Sequence, residues 1–191
     1  MLSRILFTWR AARKFKKELK IFYLNSTNHL ECIESLSLKF LIEKNIKLLI
    51  LDFDGVLAPH GAFKPEGVVQ IWMENLFKNK PKDLTVAVLS NLPRQERYLF
   101  FKDHFSELIW VCGVKKKPYP EGILKLSHNK KVAPENICLV DDRLLTGILA
   151  SLLAGTQALL ITQPRNNFKQ HFFKESFFSI LRQLEKLWVI L

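Results

Sequence analysis

Five short apolar runs punctuate the chain between residues 46 and 162, at 46–52, 85–90, 108–112, 137–141 and 157–162. They are rich in Val, Ile and Leu and show little polar alternation, which is the pattern of strands buried on both faces. Between them, apolar residues recur at helical spacing near 65–79, 93–104, 120–130 and 143–153. Strand and helix in alternation predict a central parallel sheet covered by helices on both faces, an α/β three-layer sandwich. Pro65, Pro93 and Pro134 fall near helix starts or just ahead of strands, where proline is tolerated.

The two ends carry amphipathic patterns of their own. Leu2, Ile5, Leu6, Trp9 and Ala12 or Arg13 follow helical spacing, continued by Phe15, Leu19 and Phe22, so the N-terminal stretch predicts a helix with an apolar face opposite a cationic one. Near the other end, Phe172, Phe173, Phe177, Phe178, Leu181, Leu184, Leu187 and Trp188 form an apolar stripe among Lys174, Arg182 and Lys186. The expected partner of that stripe is the sheet. The organisation read from the chain is a basic amphipathic segment over 1–43 and one domain over 44–191 that ends in an amphipathic helix.

Composition supports one real core. The chain has 191 residues, 48% of them hydrophobic, with no internal repeat, low-complexity tract or Gly/Ser linker. Charge changes the picture more. Residues 1–20 hold Arg4, Arg10, Arg13, Lys14, Lys16, Lys17 and Lys20 against Glu18 alone, so seven minus one, or six, of the net +11 charges lie there. Such asymmetry calls for a polyanionic partner. An anionic membrane surface, contacted peripherally, fits Trp9 and the apolar face best; a nucleic-acid arm and a mitochondrial-type targeting segment are the rivals. No apolar run approaches the ~20 residues that cross a bilayer. Cys32, Cys112 and Cys138 are odd in number and suggest free thiols in a reducing compartment. The five histidines show no zinc spacing. Oligomeric state does not follow from any of this.

The chemistry gathers where the apolar runs stop. The stretch IKLLILDFDGVL places Asp52 and Asp54 two apart, hence on the same side of an extended chain, ahead of Gly55. Open α/β sheets put active sites at such carboxyl ends. A carboxylate pair there suits a division into nucleophile and general acid, or a divalent cation, although D-x-D-G alone also suits an Asx turn. TVAVLSN ends a second run in Ser90 and Asn91, donors for an anion such as phosphate. VKKKPYP sets three lysines before Pro118, a point charge for a phosphoryl group or a solvated charge run. NICLVDDRLL ends a third run in Asp141 and Asp142, hard oxygen ligands of the kind magnesium takes, or a helix cap.

Order and spacing decide between these readings. From Asp52 to Ser90, Lys117 and Asp142 the intervals are 38, 27 and 25 residues, each motif at the end of an apolar run. Over roughly 44–162 the chain resembles the haloacid dehalogenase-like phosphohydrolases, with all four motifs of that superfamily in order. The resemblance implies a Rossmann-like parallel sheet, an aspartyl-phosphate intermediate and Mg2+. It implies Asp52 as nucleophile, Asp54 as general acid and base, and Ser90 with Lys117 on the phosphoryl oxygens, with Asn91 as a further donor. For the metal it implies Asp52, Asp142 and the backbone carbonyl of Asp54, with Asp141 adding charge or orienting a metal-bound water. Lys117 is preferred to Lys116 because the family's lysine commonly precedes a proline. Neither inter-motif interval holds a cap domain, so the site is expected to be open and to suit a phosphate displayed on something large.

Closer in, the chain is similar to the capless phosphatidylglycerophosphate phosphatases. APH at Ala58–His60, KKP at Lys116–Pro118, and DRLLTG with the downstream ALLITQP carry this match. It departs from that family at Asp141, Arg143 and Gly147, the last replacing an acid, and Gly55 replaces a usual asparagine. The expected function is therefore hydrolysis of a lipid phosphate at the cytoplasmic face of a membrane, or at the mitochondrial matrix face. The alternatives are a phosphatase for nucleic-acid ends or small phosphate esters, and a non-catalytic binding module on the same fold. His60, Lys64 and Arg94 are possible neighbours of the phosphate.

Overall fold

A computed structural model describes residues 2–65 and 67–191. The chain begins with α1 (Leu2–Lys14) and α2 (Lys16–Leu24), followed by a two-residue strand β1 (His29–Leu30) and α3 (Leu38–Glu43). Then come β2 (Leu48–Leu51), α4 (Gly67–Asn79), β3 (Thr85–Val88), α5 (Gln95–His104), β4 (Ile109–Trp110) and α6 (Glu121–Lys130). The last third holds β5 (Ile137–Asp141), one π-helical turn over Leu144–Ile148, α7 (Leu149–Ala154), β6 (Gln157–Ile161) and the long α8 (Phe168–Ile190).

All six strands pair in parallel, in the order β1-β6-β5-β2-β3-β4. The central strands are buried along their whole length, as two-sided burial requires of a run such as Leu48–Leu51 or Ile137–Asp141. On one face Leu49, Leu51 and Val86 pack with Leu41 of α3, Val69, Met73 and Leu76 of α4, and Phe101 of α5. On the other, Leu48, Ile50 and Leu139 pack with Ile123 and Leu126 of α6 and with Ala150 of α7. The result is the three-layer α/β sandwich that the alternation predicts, and no cap domain is inserted among the described residues.

Two features lie outside the strand–helix reading. Residues 1–43, set apart by their charge, are built into this unit: β1 extends the sheet by pairing with β6, and Ala12, Leu19 and Phe22 pack with Leu144, Ile148, Leu160 and Val189. The C-terminal stripe corrects an expectation. It does not turn to the sheet: Phe172, Phe173, Phe177, Leu184 and Leu187 are exposed, while the buried side chains of α8 are Glu175, Arg182, Glu185 and Val189. The physical reason is that, ahead of Val189, the surface α8 covers presents Asp142, Arg143 and His60, which need partners more than hydrocarbon needs cover. No helix among the described residues is long and apolar enough to cross a membrane.

Candidate active site

The carboxyl ends of β2, β3 and β5 lie side by side, because Leu51 pairs with both Val88 and Val140. The residues just beyond those pairs are Asp52, Leu89 with Ser90, and Asp141 with Asp142, so adjacency in the sheet gathers motifs that are far apart in the chain. Gly55 turns the chain after β2 at φ +85°, and a Cβ there would collide with the Asp142 carboxylate.

Lys117 is the centre of the cluster. It is 1% exposed, its Nζ lies 2.9 Å from Asp52 Oδ1, and it also donates to Asp141 Oδ2. Lys116 is exposed. Asn91 grips the Lys117 main chain from both sides: its Oδ1 accepts from Lys117 N at 2.7 Å and its Nδ2 donates to Lys117 O at 3.3 Å. Ser90 is buried nearby, its Oγ accepting from Leu92 N at 3.0 Å. Asp54 stands slightly apart, held by a bidentate Arg97 at 2.7 and 2.9 Å. Arg97 itself is fully buried and lies over the Phe53 ring.

Carboxylate oxygens of Asp52, Asp141 and Asp142 lie within 4.8 Å of one another. Burial pushes Asp52 well above the usual carboxylate range; Lys117 opposes this, and Asp141, Asp142 and Asp54 add to it. Burial and then Asp141 push Asp142 up to about 7, against the pull of Arg182 and Arg143. For Lys117, burial would lower the pKa, but Asp141 and Asp52 outweigh it and hold the ammonium above its ordinary value. Three gathered carboxylates thus face too little positive charge, and a hard divalent cation taking oxygen ligands fits that deficit.

Gly147 belongs to the same account. A Cβ at that position would overlap the Asp141 carboxylate. The acid that the resembling family carries at 147 and the acid at 141 therefore compete for one space, and here Asp141 fills it, with its Oδ1 accepting from Arg143 N at 2.9 Å.

Several participants escaped sequence reasoning, and most come from α8. Arg182 Nη1 donates to Asp142 Oδ2 at 2.7 Å, both side chains buried. Glu185 pairs with Arg143 and accepts from Leu145 N at 3.2 Å, which pins the π turn. Glu175 accepts from His60 N at 3.0 Å and faces His60 Nδ1 at 3.1 Å, while the imidazole stacks on Phe178. Of the three possible phosphate neighbours, His60 lines the same cavity as Asp52 and Asp54, Lys64 is exposed, and Arg94 lies over Phe63. These partners stand 40 or more residues from the motif they serve, as with Asp142 and Arg182 or Asp54 and Arg97. No local spacing announces such pairs.

No protein-family model and no curated protein matches the chain. Solved structures do resemble it. A hypothetical protein from Xanthomonas campestris is 18% identical, with 69% of this chain and 73% of that one covered and a TM-score of 0.50. The cobalt-bound deoxy-D-mannose-octulosonate 8-phosphate phosphatase of Haemophilus influenzae is 20% identical over 72% and 88% of the two chains, with a TM-score of 0.49. A haloacid dehalogenase-like family hydrolase from Streptococcus pneumoniae is 12% identical over 69% and 91%, with a TM-score of 0.46. At these identities the likeness is one of fold. The shared fold is a parallel α/β sandwich, and in this chain acids, a serine and a lysine stand at its strand ends.

Proposed function

We propose that this chain is a magnesium-dependent phosphomonoesterase that works through a phosphorylated Asp52, acting on a lipid phosphate, phosphatidylglycerophosphate, at an anionic membrane surface. The observation that carries the reaction is Lys117, buried between Asp52 and Asp141 with Asp142 alongside. An oxygen of Asp52 attacks phosphorus, the bond to the leaving oxygen breaks, and that oxygen takes a proton from Asp54. Water then attacks phosphorus, the acyl-phosphate bond breaks, and Asp54 takes the water's proton as Asp52 returns to carboxylate. Ser90 and Lys117 hold the phosphoryl oxygens, and Asn91 acts through the Lys117 main chain it grips. Because both Asp54 oxygens accept from Arg97, Asp54 delivers its proton only after turning from the guanidinium, and Arg97 is a positioning residue for that step.

Asp52, Asp141, Asp142 and the backbone carbonyl of Asp54 would hold magnesium, which supplies the positive charge that lets an anionic substrate meet an anionic nucleophile. Two things support the lipid. One is the local match at Ala58–His60, Lys116–Pro118 and Asp142–Pro164. The other is the basic α1, whose exposed Leu2, Ile5, Leu6 and Trp9 accompany cations that each contribute on the order of 1 kcal/mol at an anionic surface.

The test is phosphate release from phosphatidylglycerophosphate in mixed micelles, with Mg2+ and with chelator, for the native chain and Asp52→Asn. Release that needs both metal and Asp52 is expected. Release from an aryl phosphate but not from the lipid would keep the chemistry and discard the substrate. No release from either would discard both.

A further inference from the structure

We propose that the slot between α1 and α8 is a binding site for the hydrocarbon chain of the substrate, so that one chain is drawn out of its surroundings and laid along the protein while its phosphate reaches Asp52. This rests on the phosphatase reading of Asp52 and adds to it a site with its own chemistry.

The slot and the acids form one cavity of about 1030 Å³. That is at the upper end of the range of roughly 300–1,000 Å³ for small-molecule sites, far more than a phosphate and a short alcohol occupy. Its lining has two characters. At the strand ends it consists of Asp52, Asp54, His60, Asn91 and Asp142. Beyond them it consists of Ile5 and Trp9 from α1 and Phe177, Leu181, Leu184 and Leu187 from α8. Trp9 and Trp188 are in ring contact, their centroids 5.8 Å apart, where the two helices meet beside the slot. Although they share one concavity, Ile5, Trp9, Phe177, Leu184 and Leu187 are each more than half exposed. A contiguous apolar surface of this kind beside a polar reaction centre marks a place where something apolar belongs.

Continuity with the acids identifies the occupant. A ligand that fills the slot must also end at Asp52, and Arg4 and Lys174 in the lining complement an anionic head. A peptide would carry unpaired N–H and C=O groups into hydrocarbon, at a cost that a methylene chain avoids. A second copy of this chain would cover the apolar walls yet place no phosphate on the acids. An amphiphile with a phosphate monoester head and a long saturated or unsaturated chain satisfies both ends at once.

The experiment uses the full chain and alkyl monophosphates from butyl to dodecyl, each below its micellar concentration and without membrane. Burying each methylene in the slot is expected to raise kcat/KM by roughly two- to fourfold. An alkyl phosphate brominated along its chain is expected to quench tryptophan fluorescence. Since Trp72 and Trp110 pack against the core beneath α3, α4 and α5 and do not line the cavity, that quenching is expected to vanish in the Trp9→Phe, Trp188→Phe double variant. Leu184→Glu, checked for an unchanged circular dichroism spectrum, is expected to flatten the chain-length series.

Turnover that ignores chain length would overturn the slot while leaving the chemistry of Asp52 intact. So would quenching that survives removal of both tryptophans, or a stable dimer that shields them from the brominated chain. Quenching at Trp9 and Trp188 without turnover of any ester would establish the slot and remove the phosphatase reading instead.

Discussion

Residues Leu48–Leu51 of β2 bury nothing but hydrocarbon, whereas of the four side chains that α8 buries, Glu175, Arg182, Glu185 and Val189, three are charged. The strand and the helix sit within one small molecule and follow opposite rules because of what each one covers. β2 lies between β3 and β5 and faces helices on both sides, so every side chain it presents leaves water for hydrocarbon. The inner face of α8 meets Asp142, Arg143 and His60, groups that cannot be buried without partners. The strands supply stability; α8 holds the acids, the π turn and the His60 loop in place. An ion pair buried in this way gives little net stability, but breaking it is costly.

The largest effect that probes this contrast is expected from Arg182→Leu. In a hydrocarbon core a leucine in place of arginine is welcome, but here it leaves Asp142 buried without its guanidinium, at a cost of about 3–5 kcal/mol. Denaturant unfolding of the metal-free protein measures it, and added Mg2+ is expected to restore part of the loss by replacing the missing charge. A variant as stable as the native chain would mean that α8 is not the partner Asp142 depends on. In β2, Leu49→Ala removes buried hydrocarbon from a fully enclosed position and is expected to cost about 2–5 kcal/mol, with no recovery on adding Mg2+. The two variants thus separate charge from packing by their response to the same ion.

A pH and metal experiment addresses the acids that α8 covers. Asp142 is raised to about 7 when folded and lies near its ordinary value, about 4, when unfolded. Between those values the folded chain holds more protons than the unfolded one, so metal-free stability falls as pH rises from about 4 to about 7, and the loss is complete above that. The raised Asp52 acts in the same direction. The proposed Mg2+ would bind the ionised acids, so the rise in Tm on adding it is expected to be larger at pH 8 than at pH 5.5. At a hundredfold excess over Kd the stabilisation is about 2.7 kcal/mol. Equal shifts at both pH values would separate the ion from these carboxylates.

The contrast also explains what could be read in the chain beforehand. Runs such as 137–141 and 85–90 were legible because two-sided burial leaves an unbroken apolar signature, and they carried Asp141, Asp142 and Ser90 to the strand ends with them. β1 was not legible, since two residues, His29 and Leu30, form no pattern. In α8 the difficulty was different. Its apolar and charged stripes share one helical period, so periodicity revealed two faces but not which of them looks inward. Arg97 on Asp54 and Arg182 on Asp142 were hidden because a buried partner across 43 or 40 residues leaves no local trace. Gly147 looked like a missing acid and proves to be the room that Asp141 needs.

The smallest effect on stability is expected on the outer face of α8. Phe173 is 88% exposed, so Phe173→Ser removes almost nothing from the core and should change unfolding free energy by less than about 0.5 kcal/mol. The proposed membrane surface would take up this exposed ring, and burying a phenylalanine there is worth about 1.5–3 kcal/mol. Binding to vesicles of anionic lipid, measured by sedimentation at physiological salt, is therefore expected to weaken at least about tenfold while Tm stays put. The reverse result, a lower Tm and unchanged vesicle binding, would mean that Phe173 serves the protein's interior and that the outward stripe is not a membrane surface. A helix that turns its charges inward and its phenylalanines outward is explained by a surface only if removing one of those phenylalanines is felt at the surface and nowhere else.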